Sequence, residues 1–389
     1  MNILILTIIL LYNVSKEKLI PKLISLKEET YSKEYTNLIN FISNNDGYVN
    51  PKLIPNEFSE TNRYITSKEK INKNEKLLFI PNKISISKLN TQVNNKCLEA
   101  YGFNEDYDYA CMVYFMTIDK YNSSSIFKPY YDYLPIFNNS DFVTDFSQKE
   151  IDMFKETGIT DGLKKYNYFY AMALEPVKDK LKKFSISKNI KYNDILGEFK
   201  YNYDMALTRN FGRPGSYYDI NTMVPFLDLL NHSDKNNTHW FYEDKKEGYT
   251  LIAVRDIEKG EEVTVTYGRF YNSLLYKTYG FVIPGNIYHE KLKVNLCKND
   301  FILSDDSLNE SIHDIFGKTL FFGKNINVDD AKKCILNDLY NKRNYYLQLK
   351  TNRFSMNVII KEHIEILNKY IYEIENFNLN LLLYQWPLI

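Results

Sequence analysis

Cysteine is scarce in this chain of 389 residues, and its four cysteines lie far apart. Cys97, Cys111, Cys297 and Cys334 form no CxxC pair, so the spacing typical of a zinc ribbon or a thioredoxin-like redox motif is missing. Scattered cysteines of this kind are typical of reduced thiols inside the cell. We therefore expect no metal site and an intracellular location, in the cytoplasm or the nucleus.

Net charge is also absent, because 49 lysines and arginines balance 49 aspartates and glutamates. Without a net positive field, binding to nucleic acid or attachment to a membrane through basic residues has no support. Long apolar runs are missing too, apart from residues 1–14, which are too few to span a bilayer. This run resembles the core of a signal peptide, but neither a preceding Lys or Arg nor a cleavage pattern accompanies it, so secretory targeting is the minor alternative. The oligomeric state does not follow from the sequence.

The periodicity of apolar residues divides the chain into strand-rich and helical parts. Short strands are expected at 63–67, 76–81, 223–226, 250–254 and 262–267, and helical segments at 15–42, 107–200, 329–349 and 356–376. This order predicts an α+β fold, in which a β-rich core is interrupted by a helical insertion and followed by an all-α C-terminal domain. The expected boundaries are 1–34 for an N-terminal segment, 35–100 and 206–286 for the two parts of the core, 101–205 for the insertion and 287–389 for the C-terminal domain.

Polar residues are concentrated between Thr208 and Phe281, within segments that are otherwise apolar. Asn231 and His232 follow a run that should be buried, where an unsatisfied polar group costs about 1 to 3 kcal/mol. A satisfied polar corner would also explain these two residues, and Tyr267 is one of 34 tyrosines. Some other tyrosines are interpreted as ordinary packing within the insertion: Tyr130, Tyr131 and Tyr168. No single residue therefore identifies a site.

The order and spacing of these residues together resemble the SET-domain protein methyltransferases of the Rubisco large-subunit methyltransferase-like class. Four motifs carry the resemblance: Arg209-Asn-Phe211, Asp228-Leu-Leu-Asn231-His232-Ser, Tyr267-Gly268 and Asn272-x-x-Leu-x-x-x-Tyr279-Gly280-Phe281. Members of this class have a helical insertion in the SET core and a helical C-terminal domain that binds substrate. Their architecture therefore agrees with the order of strands and helices expected here.

The resemblance implies that S-adenosylmethionine is the cofactor and that a protein lysine is methylated. It implies a catalytic role for Tyr267, and a knot-like crossing of two chain segments that includes Asn231 and His232. The residues that it implies for cofactor binding are Asn231, His232, Arg209, Asp228 and Phe281. Those that it implies for the substrate channel are Phe211, Tyr279 and Asn210. It implies no metal ligand.

Methyl transfer explains why residues of these types are needed. The reaction is an in-line displacement from a sulfonium to an amine, so alignment in a narrow, water-poor channel supplies most of the rate. A lysine has an ordinary pKa near 10.4 and is protonated in water, whereas desolvation between aromatic rings favours the neutral amine. A tyrosine has an ordinary pKa near 10, so we expect the Tyr267 hydroxyl to orient the amine and not to act as an ionised base.

Phe211 favours lysine over histidine as the methyl acceptor. The resemblance to the class implies that an amide-bearing residue after the arginine suits an imidazole, whereas an aromatic ring packs against a lysine stem and attracts its ammonium group. Asn210 keeps protein-histidine methylation open, since a shift of one residue in register would place an amide there. The neutral charge of the chain disfavours a strongly basic histone tail. We therefore expect a non-histone protein as substrate.

One departure from the class lies on the first SET strand, where Asn62-Arg63-Tyr64 stands in place of the usual Gly-x-Gly. Glycine lets the backbone approach the cofactor closely, and tyrosine does not. Either Arg63 compensates by reaching the carboxylate of the cofactor, or the loop takes another path. The alternative is a catalytically weak or inactive SET-fold module that binds a partner.

Overall fold

The computed structural model describes residues 31–57, 63–102, 108–135, 142–212, 221–323 and 326–377. The apolar run at 1–14, most of the helix expected at 15–42, and Asn62 lie outside these residues. The strands are β1 (Tyr48–Val49), β2 (Leu53–Glu57), β3 (Arg63–Ser67), β4 (Lys76–Pro81), β5 (Asn210–Phe211), β6 (Thr222–Met223), β7 (Asn231–His232), β8 (Thr238–Glu243), β9 (Gly248–Ala253), β10 (Thr264–Val265), β11 (Leu292–Leu296) and β12 (Asn299–Leu303). The helices are α1 (Lys33–Ser43), α2 (Thr91–Tyr101), α3 (Asp108–Asp119), α4 (Lys128–Tyr131), α5 (Gln148–Phe154), α6 (Asp161–Leu174), α7 (Lys178–Lys188), α8 (Tyr192–Arg209), α9 (Asn272–Tyr279), α10 (Leu308–Phe322), α11 (Val328–Gln348) and α12 (Phe354–Glu375).

The largest sheet is antiparallel and has the strand order β1-β4-β9-β8. Strands β4 and β9 lie in its middle, and their apolar residues are buried: Leu77, Leu78, Ile80, Tyr249 and Leu251. Proline ends β4, as expected of a residue that has no N–H for the next hydrogen bond. The strands predicted at 63–67, 76–81 and 250–254 are confirmed, and the last of them begins two residues earlier.

A short parallel pair joins β7 and β10, which are distant in sequence. Asn231 lies opposite Thr264, and His232 lies opposite Val265. The pair is extended by a hydrogen bond of 2.9 Å from the N–H of Ser233 to the carbonyl of Val265. The two segments that the family resemblance predicts to cross therefore lie side by side, and each forms only two residues of strand.

The helical insertion lies between β4 and β5 and contains α2 to α8, in agreement with the helical block predicted at 107–200. Pro129 lies in the first turn of α4, where its missing N–H costs no hydrogen bond. Helix α8 is important for the site, because Ile195 and Phe199 anchor it in the core and its last residue is Arg209. Strand β5 follows α8 directly, so the core fixes the positions of both.

The C-terminal part has a second hydrophobic core. Helices α11 and α12 confirm those predicted at 329–349 and 356–376. The part is mainly helical but not all-α, because a hairpin of β11 and β12 with alternating buried and exposed residues precedes the helices. Val143 and Phe154 of the insertion also belong to this second core, so the insertion contributes to both cores.

The four cysteines are paired, and the expectation of free thiols was wrong. Cys97 on α2 is bonded to Cys111 on α3, with Cα atoms 4.9 Å apart. Cys297, in the turn between β11 and β12, is bonded to Cys334 on α11, with Cα atoms 6.0 Å apart. Both distances lie within the usual range for a disulfide. Sequence spacing did not reveal the pairs because 14 and 37 residues separate their members.

Candidate active site

A cavity of about 140 Å³ lies at the end of α8, beside β5, β8 and the segment that follows β10. Four aromatic side chains line it: Phe211, Trp240, Tyr267 and Tyr279. Arg209 and Asp228 contribute polar groups to its wall. A cavity of roughly 150 Å³ can admit a molecule the size of benzene, so the space suits one slender side chain.

The polar wall is built on Asp228, whose side chain is buried. Its carboxylate accepts a hydrogen bond from the Tyr130 hydroxyl at 2.8 Å and lies 3.8 Å from the guanidinium of Arg209. The same guanidinium donates to the main-chain carbonyl of Asp228 at 2.7 Å. Burial raises the pKa of Asp228 to about 6, although Arg209 and Tyr130 oppose the shift. Asp228 Oδ1 and Arg209 Nε are buried and have no hydrogen-bond partner among the described residues, so this wall has polar groups to offer a bound molecule.

A strained turn presents Asp228 to Arg209. Phe226 has a φ of 70°, in the left-handed region, which costs on the order of 1 to 3 kcal/mol for a residue other than glycine. Its ring is fully buried and contacts the ring of Tyr35, with centroids 6.2 Å apart. The 3₁₀ turn Leu227–Leu229 follows directly. Packing in the core therefore holds the turn in the one conformation that places Asp228 at the cavity.

Tyr267 connects the cavity with β7. Its hydroxyl donates to the carbonyl of Leu230 at 2.8 Å, and its main-chain N–H donates to Nδ1 of His232 at 3.0 Å. Burial raises the pKa of Tyr267 above its ordinary value, so the phenol stays protonated at neutral pH. With its proton directed at Leu230, the phenol oxygen can still accept a hydrogen bond. This arrangement suits an orienting group and not an ionised base.

His232 holds an unused hydrogen-bond donor. Burial lowers its pKa, so the ring is neutral at neutral pH. Because Nδ1 accepts the bond from Tyr267, the ring proton resides on Nε2, which is buried without a partner among the described residues. The His232 ring lies near that of Phe281, with centroids 6.1 Å apart. A buried donor of this kind is expected to meet an acceptor of a bound molecule.

The side chain of Asn231 contacts the main chain of Arg63 and not its guanidinium. The Asn231 amide donates to Glu262 at 2.9 Å and to the carbonyl of Arg63 at 3.4 Å. The Arg63 guanidinium donates to the carbonyl of Tyr133 at 2.7 Å and lies 5.0 Å from the centre of that ring. The Arg63 side chain thus contacts the insertion and does not line the cavity. Its expected contact with a cofactor carboxylate remains a prediction.

Tyr279 and Phe281 complete the aromatic cluster around Tyr267. Their ring centroids lie 4.9 and 6.3 Å from that of Tyr267. The chain reverses between them because Gly280, with a φ of 77°, forms the left-handed cap of α9. A Cβ atom at residue 280 would also lie 3.0 Å from the ring of Phe142. Glycine is therefore the residue that fits here.

Two residues of the site were missed from the sequence. Trp240 packs edge to face against Phe211, with centroids 5.2 Å apart, and nothing in its strand pattern pointed toward β5. Tyr130 was interpreted as packing, yet its hydroxyl holds the buried carboxylate of Asp228. Tyr168 is not core packing either, because it is 62% exposed. The rarity of tryptophan, with two in the chain, was the one available signal for Trp240.

Asn210 also lies at the cavity, but its amide group is engaged elsewhere. The amide nitrogen donates to the carbonyl of Ala206, one turn back on α8, at 2.7 Å. Phe211, the next residue, directs its ring at Trp240 and is almost completely buried. Of these two neighbours, it is therefore the aromatic residue that forms a wall of the cavity.

The family model for the SET domain matches residues 62–268. Because this match covers more than half of the chain, the chain belongs to the SET-domain family. Solved structures of Rubisco LSMT share its fold. The complex with sinefungin and monomethyllysine gives a TM-score of 0.62 at 14% identity, over 89% of this chain and 92% of that chain. The complex with AdoMet gives 0.61 at 15% identity, over 90% and 93%.

Curated relatives match the chain over part of their length. N-lysine methyltransferase setd6 of Danio rerio is 26% identical over 243 residues, which is 56% of this chain and 50% of the relative. SET domain-containing protein 4 of Artemia parthenogenetica is 26% identical over 256 residues, which is 60% of this chain and 59% of the relative. The chain thus spans roughly half the length of these relatives.

Proposed function

We propose that this chain is an S-adenosylmethionine-dependent methyltransferase that modifies a lysine of a non-histone protein. One observation carries the proposal: Tyr267 donates to the Leu230 carbonyl in a cavity that also has Phe211, Trp240 and Tyr279 in its wall. The names of relatives support it, since setd6 of Danio rerio is called an N-lysine methyltransferase. The SET domain of LSMT has been solved with lysine and AdoHcy, and with methyllysine and AdoHcy.

The residues around β7 and β10 fit S-adenosylmethionine. The buried Nε2–H of His232 and the Nε–H of Arg209 are donors that acceptor atoms of the cofactor would satisfy. Phe281, beside His232, offers a flat apolar surface of the kind on which an adenine ring packs. Asn231 would bind the cofactor through hydrogen bonds of its main chain and its side-chain amide. When bound, S-adenosylmethionine supplies a methyl group on a positively charged sulfur.

The cavity residues prepare a lysine for attack. Its stem would lie against Phe211 and Trp240, where exclusion of water lowers the pKa of the amine and favours the form with a free lone pair. The nearby positive charge of Arg209 acts in the same direction. The phenol oxygen of Tyr267 would accept a hydrogen bond from the amine and so fix the direction of its lone pair. The bond from the amine nitrogen to the methyl carbon would form as the bond from that carbon to sulfur breaks, with S-adenosylhomocysteine as the leaving group. The methylated ammonium would then release a proton to water.

The side chains at the cavity favour lysine over histidine as the acceptor. An imidazole acceptor would need an amide or another polar partner in the wall. The amide nitrogen of Asn210 donates to Ala206 instead, and Phe211 presents an aromatic edge and face. These contacts suit a methylene stem and an ammonium group. Protein-histidine methylation is therefore the weaker candidate.

Calorimetry with S-adenosylhomocysteine tests whether the cofactor site works. We expect wild type to bind this product, and His232→Ala to bind it about tenfold more weakly because one hydrogen bond from a buried donor is lost. His239→Ala is the matched control, since His239 is an exposed histidine on β8, outside the pair formed by β7 and β10. Absence of S-adenosylhomocysteine binding by wild type at millimolar concentration would refute the proposal that the chain is an enzyme.

An inactive SET-fold module that binds a partner is the second candidate function. The observation that favours it is the Arg63 guanidinium, which engages Tyr133 and leaves the cofactor carboxylate without the partner expected for it. Binding of S-adenosylhomocysteine by wild type would rule out an inert scaffold. Loss of that binding in Arg63→Ala would restore the predicted role of Arg63.

The state of the cysteines bears on the expected cellular location. No helix within the described parts of the chain is long and apolar enough to cross a membrane. The expected intracellular location relied on free thiols, whereas both cysteine pairs are bonded. Disulfides are typical of oxidising compartments, so these bonds weigh against that location. Measuring the redox state of the four cysteines in cells would decide between an intracellular location and an oxidising compartment.

A further inference from the structure

Asn272 begins α9, the helix that ends at Tyr279, and its side chain is buried. All of its hydrogen-bonding capacity is used. Its Nδ2 donates to the carbonyl of Ile283 at 2.9 Å and to Glu362 at 2.7 Å. Its Oδ1 accepts from the N–H of Ile283 at 2.8 Å and from Asn286 at 3.3 Å. All four of these bonds are to protein groups, so the Asn272 side chain has no hydrogen bond left to offer a cofactor or substrate.

The two bonds with Ile283 fold the chain after α9 back onto the first residue of that helix. The loop closed in this way contains Gly280 and Phe281, and Tyr279 lies at its start. The rings of Tyr279 and Phe281 have centroids 6.1 Å apart. The Asn272 side chain therefore closes the loop that carries these two aromatic rings of the site.

Two consecutive residues of α12 connect this loop with the C-terminal core. Glu362 accepts the hydrogen bond from Asn272, and His363 Nε2 lies 3.6 Å from a carboxylate oxygen of Glu290. The other oxygen of Glu290 accepts the N–H of Ser273 at 2.8 Å. A negative charge at this position is favourable, because the N-terminal end of a helix carries partial positive charge. Helix α12 thereby holds the first two residues of α9.

We propose that Asn272, Glu290, Glu362 and His363 form a clamp that fixes the Tyr279 and Phe281 wall to the C-terminal helices, with Asn272 as the positioning residue. This proposal rests on the proposed function in one respect, the identity of the reaction in the cavity. The contacts that form the clamp do not depend on that identity. In this arrangement the C-terminal helices control the shape of the channel without touching the reacting atoms. The helices then serve for more than recognition of the substrate.

Glu362 makes the clamp sensitive to pH. Burial and the carboxylate of Glu290 raise the pKa of Glu362 to about 7, against the hydrogen bond from Asn272. The other charges that act on Glu362 are Glu365, which raises its pKa, and Lys361, which lowers it. A raised pKa means that the folded state holds the proton more tightly than the unfolded chain does. The clamp is therefore most stable with Glu362 protonated and loosens as the pH rises through about 7.

Hydrogen exchange of the segment 279–286 tests the clamp in the full chain without reference to any activity. In Asn272→Ala we expect about tenfold faster exchange of this segment, because the N–H of Ile283 loses its acceptor, and unchanged exchange of β4 and β9. Glu362→Gln keeps an oxygen acceptor but cannot titrate. After correction for the intrinsic rate, it should lose the faster exchange that wild type shows above about pH 7. Glu373→Gln, about three turns further along α12, is the matched control and should behave like wild type.

Exchange of 279–286 within twofold of wild type in Asn272→Ala would overturn the clamp. A pH response in Glu362→Gln equal to that of wild type would overturn it as well, and this variant keeps the hydrogen bonds of the fold. Kinetics separate the clamp from the proposed function. In an active enzyme, Asn272→Ala should raise the KM for the acceptor about fivefold and change kcat less than twofold. If wild type transfers no methyl group while the exchange results hold, the proposed function fails and the clamp stands.

Discussion

Replacing Asp228 by asparagine should stabilise the folded protein at neutral pH. Asp228 has a pKa of about 6 in the folded state, because burial penalises its charge. An unfolded chain gives an aspartate a pKa near 3.9. The folded state thus binds the proton more tightly, and the stability that this group contributes is full below about pH 4 and lost as the pH rises through about 6. A difference of about two pKa units at 1.36 kcal/mol each gives roughly 3 kcal/mol.

Urea denaturation at intervals between about pH 4 and about pH 8 measures this effect. Near pH 4 the free energies of unfolding of wild type and Asp228→Asn should agree within about 1 kcal/mol, since a protonated carboxyl and an amide are similar in shape and polarity. At neutral pH the asparagine variant should be more stable by about 3 kcal/mol. Tyr130→Phe is the control, because it removes a hydrogen bond that lowers the pKa of Asp228 and should move the loss of stability to higher pH.

Parallel stability curves for wild type and Asp228→Asn would refute this reasoning. They would mean that the attraction of Arg209, 3.8 Å away, fully offsets the burial of the charge. We expect the opposite, together with weaker binding of S-adenosylhomocysteine by the variant, because the ionised carboxylate holds Arg209 at the cavity. Stability is then given up for the arrangement of the site, as is common at functional sites.

Trp240→Ala should raise the KM for a lysine acceptor about tenfold, because it removes a ring whose centroid lies 5.2 Å from that of Phe211. The affinity for S-adenosylhomocysteine should not change. Steady-state kinetics measures the first effect and calorimetry the second. Gly280→Ala should lower the free energy of unfolding by more than the roughly 1 to 2 kcal/mol that strain at a φ of 77° costs, since its Cβ would also lie 3.0 Å from the ring of Phe142. Gly260→Ala, at a φ of 83° with no atom near its Cβ, measures the backbone strain alone, so an equal loss would contradict the clash with Phe142. In the denatured protein, iodoacetamide should label no cysteine before reduction and four after it, whereas labelling before reduction would contradict the two bonded pairs.

Long and strongly patterned elements could be predicted from the sequence. Helix α12 was predicted because Ile360, Leu367 and Ile371 recur at helical spacing and are buried together. The hairpin of β11 and β12 was missed, because the segment after residue 287 was expected to be all-α. Its two-residue turn, Cys297 and Lys298, adopts positive φ without the Asn or Gly that usually marks such a turn. Local signals therefore failed where the residues of the turn were unusual.

The resemblance to the SET class ordered the site residues along the chain but not in space. Tyr130 lies 98 residues from Asp228, so no local pattern could connect its hydroxyl with that carboxylate. Trp240 on β8 contacts Phe211 on β5, although the two strands belong to different sheets. The direction of the Arg63 side chain likewise depends on the carbonyl of Tyr133, 70 residues away. Contacts of this kind come from tertiary structure, which residue spacing does not encode.

Transfer of a labelled methyl group tests the central claim most directly. Wild-type chain is incubated with labelled S-adenosylmethionine and a cell lysate, and the labelled protein is hydrolysed for amino-acid analysis. We expect the label in methylated lysine, a loss of about a hundredfold in Tyr267→Phe, and full activity in Tyr168→Phe, whose tyrosine is 62% exposed. No labelling by wild type, label in histidine, or equal labelling by Tyr267→Phe would contradict the account.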